Sequence, residues 1–412
     1  MKALFTSKNN KALSATIQVS GSKSESNRLL ILQSQFPNLK TENLSESDDT
    51  MVLQKALLSK QGEVDIHHAG TAMRFLTAYF ATQPDASVVL TGSERMQQRP
   101  IKILVDALKN LGAEIKYLKT NGYPPIAISG KKITKNSVSI AGNVSSQYIS
   151  ALLLIAPSLP NGLTITITGK LTSAPYLRMT VALLQKIGVS CILSENTIYV
   201  KPVAEIENKA VLIESDWSSA SYFYSMVALS EAASITLKGY FKNSLQGDSI
   251  LATIYETLGV TTRFNEKDAS ITLTKNNAPI ADHVLLNLAD APDIAQTIAV
   301  TCFGLGLGCK LTGLHTLKIK ETDRLLALQT ELRKLGAKIT VTDDSLEMAT
   351  SEAKNSNKNI LIQTYNDHRM AMAFAPLALK VPIEIDDAGV VSKSFPTFWE
   401  DIQKTGINVD FE

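Results

Sequence analysis

Cysteine is scarce in this sequence of 412 residues, which has only Cys191, Cys302 and Cys309. An odd number of cysteines without a C-x-x-C pair favours neither a disulfide framework nor a cysteine zinc site. All three lie in apolar or glycine-rich surroundings, which is typical of reduced thiols in a protein core. We therefore expect a cytoplasmic protein.

Net charge is also nearly absent, because 41 Lys and Arg residues face 39 Asp and Glu residues, for a formal charge of +2. No overall field attracts such a chain to nucleic acid or to an anionic membrane, so any anion binding must be local. The most membrane-like stretch, residues 294–309, contains Gln296 and three glycines and is too short to span a bilayer. We interpret it as a buried helix and a turn. Residues 1–17 lack the uninterrupted apolar run of a signal peptide.

Several cofactor and catalytic motifs are missing. The sequence has no H-E-x-x-H helix, no G-x-S-x-G elbow and no His/Cys set with metal spacing, and the Gly21-Ser22-Lys23-Ser24 segment lacks the upstream glycine of a Walker A loop. Of the five histidines, only His368 lies in a candidate site. The other four, interpreted as structural or exposed, are His67, His68, His283 and His315. We expect neither a metal nor an organic cofactor.

A sixfold repeat organises the chain. Each unit has an amphipathic helix, a glycine and then a β-branched strand. The clear copies have Gly112, Gly188, Gly259 and Gly336, and the weaker copies have Gly62 and Gly406. Because glycine readily adopts the left-handed backbone that ends helices, each glycine predicts a helix C-terminus. Three units lie on each side of about residue 215, and 44% hydrophobic content supports two α/β domains with well-formed cores.

Strands are predicted between these helices. Residues 87–91, 163–168, 234–238 and 271–274 alternate or run apolar, which is typical of sheets with one covered face. No long linker rich in Pro, Ser or Gly is present, so we expect a tight crossover between the domains. The helix-capping sequence 216–220 places that crossover just before residue 216.

Charged side chains gather at the starts of three predicted helices. Residues 21–28, 320–324 and 365–372 each place cations and hydroxyl or carboxyl groups directly ahead of an apolar helical run. Helix N-termini favour bound anions, and buried charges are costly unless they bind something. For residues 365–372 the alternative is a capped helix in which Asp367 accepts backbone N–H groups and Arg369 reaches into solvent. A cleft between two domains would collect these clusters into one anion site.

The ordered motifs resemble those of the 5-enolpyruvylshikimate-3-phosphate synthases, a branch of the enolpyruvyl transferase family. The resemblance runs from about residue 13 to about residue 400 through G-S-K-S-x-S-x-R, A-G-T-A-M-R, R-M-x-x-R-P, S-S-Q, S-x-P-Y, D-x-S-S-A, P-D, K-E-T-D-R, N-D-H-R-M-A-M and K-S-F-P. It implies an α/β fold with two pseudo-equivalent domains of three βαβαββ units each, an inside-out α/β barrel. The first domain would comprise residues 20–214 and the second residues 1–19 and 215–412, with the active site in the cleft between them.

The resemblance also implies a reaction between two polyanions. The enolpyruvyl group of phosphoenolpyruvate would move to the 5-hydroxyl of shikimate 3-phosphate, with release of phosphate and no cofactor, in a monomeric enzyme of aromatic amino-acid biosynthesis. The residues implied for shikimate 3-phosphate are Lys23, Ser24, Arg28, Ser145, Ser146, Gln147, Ser173, Tyr176, Asp293 and Lys320. Those implied for phosphoenolpyruvate are Lys23, Gly70, Thr71, Arg99, Gln147, Arg324, Arg369 and Lys393.

Three residues match the family's catalytic positions. Asp293 would take the proton of the 5-hydroxyl, and Glu321 would protonate the methylene of phosphoenolpyruvate. Because a carboxylate among cations holds its proton weakly, Glu321 would need burial or a proton relay through Lys23. Gly70 would let an anion approach backbone N–H groups closely, and it predicts sensitivity to glyphosate, which occupies the phosphoenolpyruvate site in this family.

Some residues depart from the family pattern. The departures are His68, Phe75 in place of a common proline, Arg178, and Thr316 or His315 in place of an asparagine.

Two alternative functions remain. The sister enzyme acting on UDP-N-acetylglucosamine shares the fold but usually carries a reactive cysteine in its first domain, and residues 1–190 contain none. A non-catalytic anion-binding homologue would be expected to lose Asp293, Glu321 or an arginine, and all of them are present.

Overall fold

The structure is a computed structural model that describes residues 1–5, 12–142, 146–169, 174–351 and 359–412. Helices and strands alternate through this part of the chain. The chain forms two compact units, here called the first unit, Gly21–Ile213, and the second unit, Met1–Ser20 with Glu214–Glu412. The N-terminal segment therefore belongs to the second unit.

The strands are numbered in chain order. They are β1 (Ala3–Phe5), β2 (Ala12–Gln18), β3 (Leu39–Glu42), β4 (Gln61–Asp65), β5 (Ser87–Thr91), β6 (Glu114–Tyr117), β7 (Ile126–Ser129), β8 (Ser137–Ala141), β9 (Leu163–Thr168), β10 (Cys191–Ser194), β11 (Thr197–Val200), β12 (Lys209–Leu212), β13 (Ala232–Lys238), β14 (Val260–Asn265), β15 (Ser270–Lys275), β16 (His283–Asn287), β17 (Gly308–Thr312), β18 (Ile339–Val341), β19 (Leu346–Met348), β20 (Ile360–Ile362), β21 (Ile383–Ile385) and β22 (Val409–Phe411). All four predicted strands are confirmed, as β5, β9, β13 and β15.

The helices are numbered in the same way. The α-helices are α1 (Lys23–Gln35), α2 (Asp48–Leu57), α3 (Gly70–Ala81), α4 (Glu94–Gln97), α5 (Lys102–Leu111), α6 (Ser146–Ile155), α7 (Ala174–Lys186), α8 (Trp217–Leu229), α9 (Leu251–Glu256), α10 (Ala295–Gly304), α11 (Arg324–Lys334), α12 (His368–Phe374) and α13 (Phe398–Lys404). Short 3-10 helices cover Ala156–Ser158, Gly247–Ile250, Pro292–Ile294, His315–Ile319, Ala375–Leu379 and Ala388–Lys393. None of the helices in the described ranges is both long and apolar enough to span a bilayer.

The sheets show the arrangement of the internal repeat five times, and the sixth sheet has only two strands. Five four-stranded sheets share one arrangement, in which a parallel pair continues through two antiparallel pairings. In the first unit these sheets are β4-β5-β7-β6 and β8-β9-β11-β10, and β3 pairs with β12. In the second unit they are β2-β13-β15-β14, β16-β17-β19-β18 and β20-β21-β1-β22. The N-terminal strands complete two sheets of the second unit, because β2 pairs with β13 and β1 lies between β21 and β22.

Five of the six repeat glycines follow a helix in the left-handed backbone conformation. Gly112 caps α5 with a φ of 106°, and Gly188, Gly259, Gly336 and Gly406 follow their helices with φ values from 83° to 104°. The prediction for Gly62 was wrong, because α2 ends at Leu57 and Gly62 lies inside β4. Gly62 still has a φ of 86°, so its left-handed backbone serves the strand and not a helix end.

Nearly fully buried helices form the core of each unit. In the first unit, α3 packs against α6 and α1, and in the second unit α10 packs against α8 and α12. Helices α3, α6, α8, α10 and α12 are apolar on almost all sides, as expected for helices covered by neighbours. Residues 294–309 do form a buried helix, α10, and a turn. The polar clusters of the sequence therefore lie at the starts of helices that the core holds rigidly.

Candidate active site

Helix α1 of the first unit begins at Lys23, as predicted. Its N-cap Ser22 accepts a long hydrogen bond of 3.5 Å from the backbone N–H of Glu25. Lys23 Nζ lies 3.2 Å from Asp49 Oδ2. The Lys23 side chain is about 20% exposed, and Ser24 beside it is half-buried, so both can reach a ligand.

Arg28, one turn later on α1, is buried among neutral acceptors. Its Nε donates to Thr180 Oγ1 at 2.7 Å and its Nη1 to the Ser24 carbonyl at 2.7 Å. Its Nη2 donates to Ser150 Oγ at 3.3 Å and to the Tyr176 carbonyl at 3.4 Å. Burial lowers the pKa of Arg28 to about 10. The described residues place no carboxylate within 4 Å of this guanidinium, so its charge remains available to an anion.

The start of α3 lies directly under the guanidinium of Arg99. A methyl group built on Gly70 would lie 2.6 Å from Arg99 Nη1, so only glycine leaves this space open. The Arg99 side chain, which is half-buried, makes no hydrogen bond or ion pair with any residue that the structure describes. An unneutralised arginine beside free N–H groups at a helix start is the geometry that binds phosphate or carboxylate.

Arg74, on the next turn of α3, supports this arrangement. Its Nη1 donates to the Gly70 carbonyl at 3.1 Å, and its Nη2 donates to the Pro100 carbonyl at 3.0 Å. Burial, and then the charge of Arg99, lower the pKa of Arg74 to about 10. Arg74 thus ties the Gly70 helix start to the segment that carries Arg99, a role that sequence reasoning did not assign.

The remaining predicted residues of the first unit lie on α3, α6 and α7. Gln147 Nε2 donates to Thr71 Oγ1 at 3.2 Å, which links the start of α6 to the start of α3. Ser146 is buried at the first position of α6, and Tyr176 lies in the first turn of α7. The predicted ligands Ser145 and Ser173 lie outside the described residues.

In the second unit, Arg324 is paired with three carboxylates. Its Nε donates to Asp367 Oδ2 at 2.7 Å, its Nη1 to Asp293 Oδ1 at 2.9 Å and its Nη2 to Glu321 Oε2 at 2.9 Å. The side chain is only 2% exposed. Burial opposes the charge, but the three carboxylates outweigh it and raise the pKa of Arg324. The two predicted catalytic carboxylates are thus held by one guanidinium.

Arg369 contacts the other side of Asp293. Its Nη1 donates to the Asp293 carbonyl at 3.1 Å, and its Nη2 lies 3.5 Å from Asp293 Oδ2 and 3.3 Å from Ser218 Oγ. Asp367 caps α12 by accepting the backbone N–H of Arg369 at 2.9 Å. The capping part of the alternative interpretation is therefore correct. Its other part is wrong, because Arg369 is 9% exposed and reaches the carboxylates instead of solvent.

Sequence reasoning missed Asp248, which is buried next to this cluster. Ser218 Oγ donates a hydrogen bond to Asp248 Oδ2, and Ser218 also accepts from Arg369. Burial, and then the charge of Asp293, raise the pKa of Asp248 to about 7. No spacing rule links Gln246-Gly247-Asp248 to Arg369, so only the fold reveals this contact.

Two lysines of the second unit, Lys320 and Lys393, were also predicted as ligands. Lys320 Nζ lies 3.5 Å from Asp293 Oδ1, and Lys393 Nζ donates to the Asn366 carbonyl at 2.6 Å. Tyr365 and Asn366 both have positive φ values, 54° and 55°, immediately before α12. Two consecutive non-glycine residues in this region indicate strain of the kind found at ligand sites.

Each unit thus brings several of its predicted residues into contact. The first unit presents Arg28, Arg74 and Arg99 without a carboxylate within 4 Å among the described residues, although Lys23 pairs with Asp49, and the second unit presents two carboxylates fixed by arginines. Within the described ranges, no group of three His, Cys, Asp or Glu side chains could hold a metal ion. This chemistry suits polyanionic substrates and proton transfer.

Comparisons with known proteins agree with this chemistry. A family model described as EPSP synthase (3-phosphoshikimate 1-carboxyvinyltransferase) matches residues 35–402. The 3-phosphoshikimate 1-carboxyvinyltransferase of Bacteroides fragilis is 46% identical over 400 residues, which cover 96% of each chain. That of Haemophilus influenzae is 36% identical over 433 residues, covering 95% of this chain and 96% of the relative. An EPSP synthase structure from Acinetobacter baumannii, 20% identical, has the same fold, with a TM-score of 0.78 over 99% of both chains. The chain belongs to the EPSP synthase family.

Proposed function

We propose that this chain transfers the enolpyruvyl group of phosphoenolpyruvate to the 5-hydroxyl of shikimate 3-phosphate and releases phosphate. The two compact units are its two domains. The observation that carries the proposal is the division of charge. Arg28, Arg74 and Arg99 in the first unit have no carboxylate within 4 Å among the described residues, whereas the carboxylates that the chemistry needs are fixed in the second unit. Two polyanions supply the negative charge that the first unit lacks.

The substrate contacts are those that the family resemblance implies. Arg28, Ser24, Ser146 and Gln147 bind shikimate 3-phosphate, with Ser145, Ser173, Tyr176, Asp293 and Lys320 as further ligands. Phosphoenolpyruvate binds to Gly70, Thr71, Gln147, Arg99, Arg324, Arg369 and Lys393, and Lys23 contacts both substrates. The half-buried Arg99 requires no rearrangement to accept an anion, because its guanidinium lies open above Gly70.

The proton transfers need two carboxyl groups in different states. Asp293 is held by Arg324, Arg369 and Lys320, which favour its ionised form and orient it as the base for the 5-hydroxyl. The hydroxyl oxygen bonds to C2 of phosphoenolpyruvate as the methylene takes a proton from Glu321. Glu321 then takes the added proton back as the bond between C2 and the phosphate oxygen breaks, which restores the enol, and Asp293 passes the hydroxyl proton to the departing phosphate. Atoms and charge balance without a cofactor.

Arg324 connects substrate binding to Glu321. In this structure its Nη2 donates to Glu321 Oε2 at 2.9 Å. A substrate carboxylate that takes this nitrogen weakens the ion pair between Arg324 and Glu321, and a carboxyl group with a weaker ion pair holds a proton more firmly. Binding of phosphoenolpyruvate would thereby prepare Glu321 to act as the acid.

A phosphate-release assay tests the proposal. Phosphoenolpyruvate with shikimate 3-phosphate should release phosphate at the rate at which shikimate 3-phosphate is consumed, and omission of either substrate should abolish the release. UDP-N-acetylglucosamine in place of shikimate 3-phosphate should give none. Release with UDP-N-acetylglucosamine but not with shikimate 3-phosphate, each in the presence of phosphoenolpyruvate, would assign the sister activity. Release with neither acceptor would indicate a non-catalytic homologue.

We also propose that the protein acts as a monomer in the cytoplasm. The three cysteines are buried and unpaired, as suits a reducing compartment. Light scattering of the purified chain tests the oligomeric state, and a mass near twice 44.7 kDa would contradict it.

A further inference from the structure

Arg28 is unusual because the fold uses most of its donors without neutralising its charge. A guanidinium has five N–H groups. Four of those of Arg28 donate to neutral oxygens of Thr180, Ser24, Ser150 and Tyr176. One N–H on Nη1 has no acceptor among the residues that the structure describes. A buried cation with one open donor is prepared for a single anionic oxygen.

Two aromatic rings pack against the same guanidinium. The Arg28 Cζ atom lies 5.4 Å from the ring centroid of Phe75 and 5.7 Å from that of Tyr176. Phe75 is 1% exposed on α3, and α3 packs against α1. Such rings attract a desolvated cation through their quadrupole. The lowered pKa of Arg28, about 10, agrees with a charge that the protein compensates only in part.

We propose that Phe75 is a positioning residue for shikimate 3-phosphate, because its ring holds the Arg28 guanidinium with the open Nη1–H directed at the substrate carboxylate. The inference rests on the proposed function, in which Arg28 binds shikimate 3-phosphate, and it assigns Arg28 to the carboxylate of that substrate. Phe75 acts through Arg28 and touches no reacting atom. A side chain of similar volume without a ring would fill the space but would not stabilise the cation.

The experiment compares Phe75→Leu with Phe75→Tyr and with Phe80→Leu. Phe80 is a matched control because it is a buried phenylalanine on the same helix, packed on Tyr79 and not against a cation. Calorimetry measures the Kd of shikimate 3-phosphate, and initial rates give both KM values and kcat. Phe75→Leu should raise the Kd and the KM of shikimate 3-phosphate about two- to thirtyfold, the range that corresponds to a desolvated cation–π contact. The kcat and the KM of phosphoenolpyruvate should stay unchanged.

The two controls separate positioning from packing. Phe75→Tyr keeps a ring and should restore the wild-type Kd, whereas Phe80→Leu should lower Tm like Phe75→Leu and leave the Kd unchanged. Should Phe75→Leu fail to fold, Phe75→Met nearly conserves volume without a ring and carries the same expectation. Wild-type Kd in the ringless variant, or an equal loss in Phe80→Leu, would overturn the inference. If the wild type itself neither binds nor converts shikimate 3-phosphate, the proposed function fails instead.

Discussion

Arg99 and Arg324 carry the same charge in opposite surroundings. Arg99 has no hydrogen-bonding or ionic partner among the described residues, whereas Arg324 holds Asp293, Glu321 and Asp367. We therefore expect Arg99→Ala to raise the KM of phosphoenolpyruvate by an amount equivalent to about 2 to 5 kcal/mol, with little change in unfolding free energy. Steady-state kinetics and urea unfolding measure the two effects.

The Arg324→Ala variant provides the contrast. Removing this guanidinium leaves three carboxylates without their shared partner, which costs roughly 3 to 5 kcal/mol of stability when a buried pair is broken. An Arg99→Ala variant that is as unstable as Arg324→Ala, or that keeps the wild-type KM, would contradict the assignment of Arg99 to the phosphoenolpyruvate site.

The role of Asp293 as the base can be tested with a single substitution. The Asp293→Asn variant keeps the size of the side chain and can still accept from Arg324, but it cannot take a proton from the 5-hydroxyl. We expect kcat to fall about 100- to 10,000-fold, the usual contribution of a positioned base, while shikimate 3-phosphate still binds. Single-turnover rates and calorimetry measure this, and near-normal turnover would reject Asp293 as the base.

Sequence patterns predicted the residues of the two clusters but not how they contact each other. The order of motifs places Asp293, Arg324 and Arg369 in one region because each opens a helix of the same core. The pairing of Arg324 with three carboxylates depends on distances between three segments, which no local pattern encodes. Asp248 was missed, and Ser218 was predicted only as part of a helix cap, for the same reason, since Ser218 links Asp248 to Arg369 only in the folded chain.

At the scale of elements, Gly70 and Gly112 have different structural roles. Gly70 begins α3, and a methyl group there would lie 2.6 Å from Arg99 Nη1, whereas Gly112 ends α5 with a φ of 106° and open space around it. We expect Gly70→Ala to displace Arg99 and raise the KM of phosphoenolpyruvate and the inhibition constant of glyphosate severalfold. Its stability should not fall, because alanine is the better helix former.

The Gly112→Ala variant is the control for Gly70→Ala. It should lose roughly 1 to 2 kcal/mol of unfolding free energy, the cost of a left-handed alanine, with unchanged kinetics. Inhibition titrations and urea unfolding on both variants test the contrast. Equal glyphosate sensitivity in Gly70→Ala and the wild type would show that Arg99 moves aside without consequence.

The ends of helices were easier to predict from the sequence than the pairing of strands that lie far apart in the chain. The pattern of an apolar helix followed by glycine correctly located five left-handed glycines, because few other residues adopt that backbone cheaply. It failed at Gly62, where four residues separate the end of α2 at Leu57 from a glycine that belongs to β4. The membership of β1 and β2 in the second unit followed only from the family resemblance, because pairing between segments as far apart as Ala12 and Ala232, or Ala3 and Ile385, leaves no periodic signal.

At the scale of the whole molecule, the near-zero net charge conceals a buried acid, Asp248, that makes stability depend on pH. The carboxyl of Asp248 is raised to a pKa of about 7 by burial and by Asp293, compared with about 4 in an unfolded chain. Between these two values the folded protein binds more protons than the unfolded chain at this site. Its contribution to stability is therefore fully present below about pH 4 and is lost as the pH rises through about 7.

We therefore expect Asp248→Asn to be more favourable to stability at pH 8 than at pH 5, because asparagine cannot ionise. The difference between the variant and the wild type in unfolding free energy should shift by about 1 to 3 kcal/mol between these two pH values. Urea unfolding of both proteins at each pH measures this shift, and the subtraction cancels the titration of all other groups. Ser218→Ala is the control, since it removes a hydroxyl that favours the ionised carboxylate but keeps the titrating group, and it should retain or strengthen the wild-type pH dependence. A pH-independent difference for Asp248→Asn would mean that Asp248 stays ionised in the folded protein across this range.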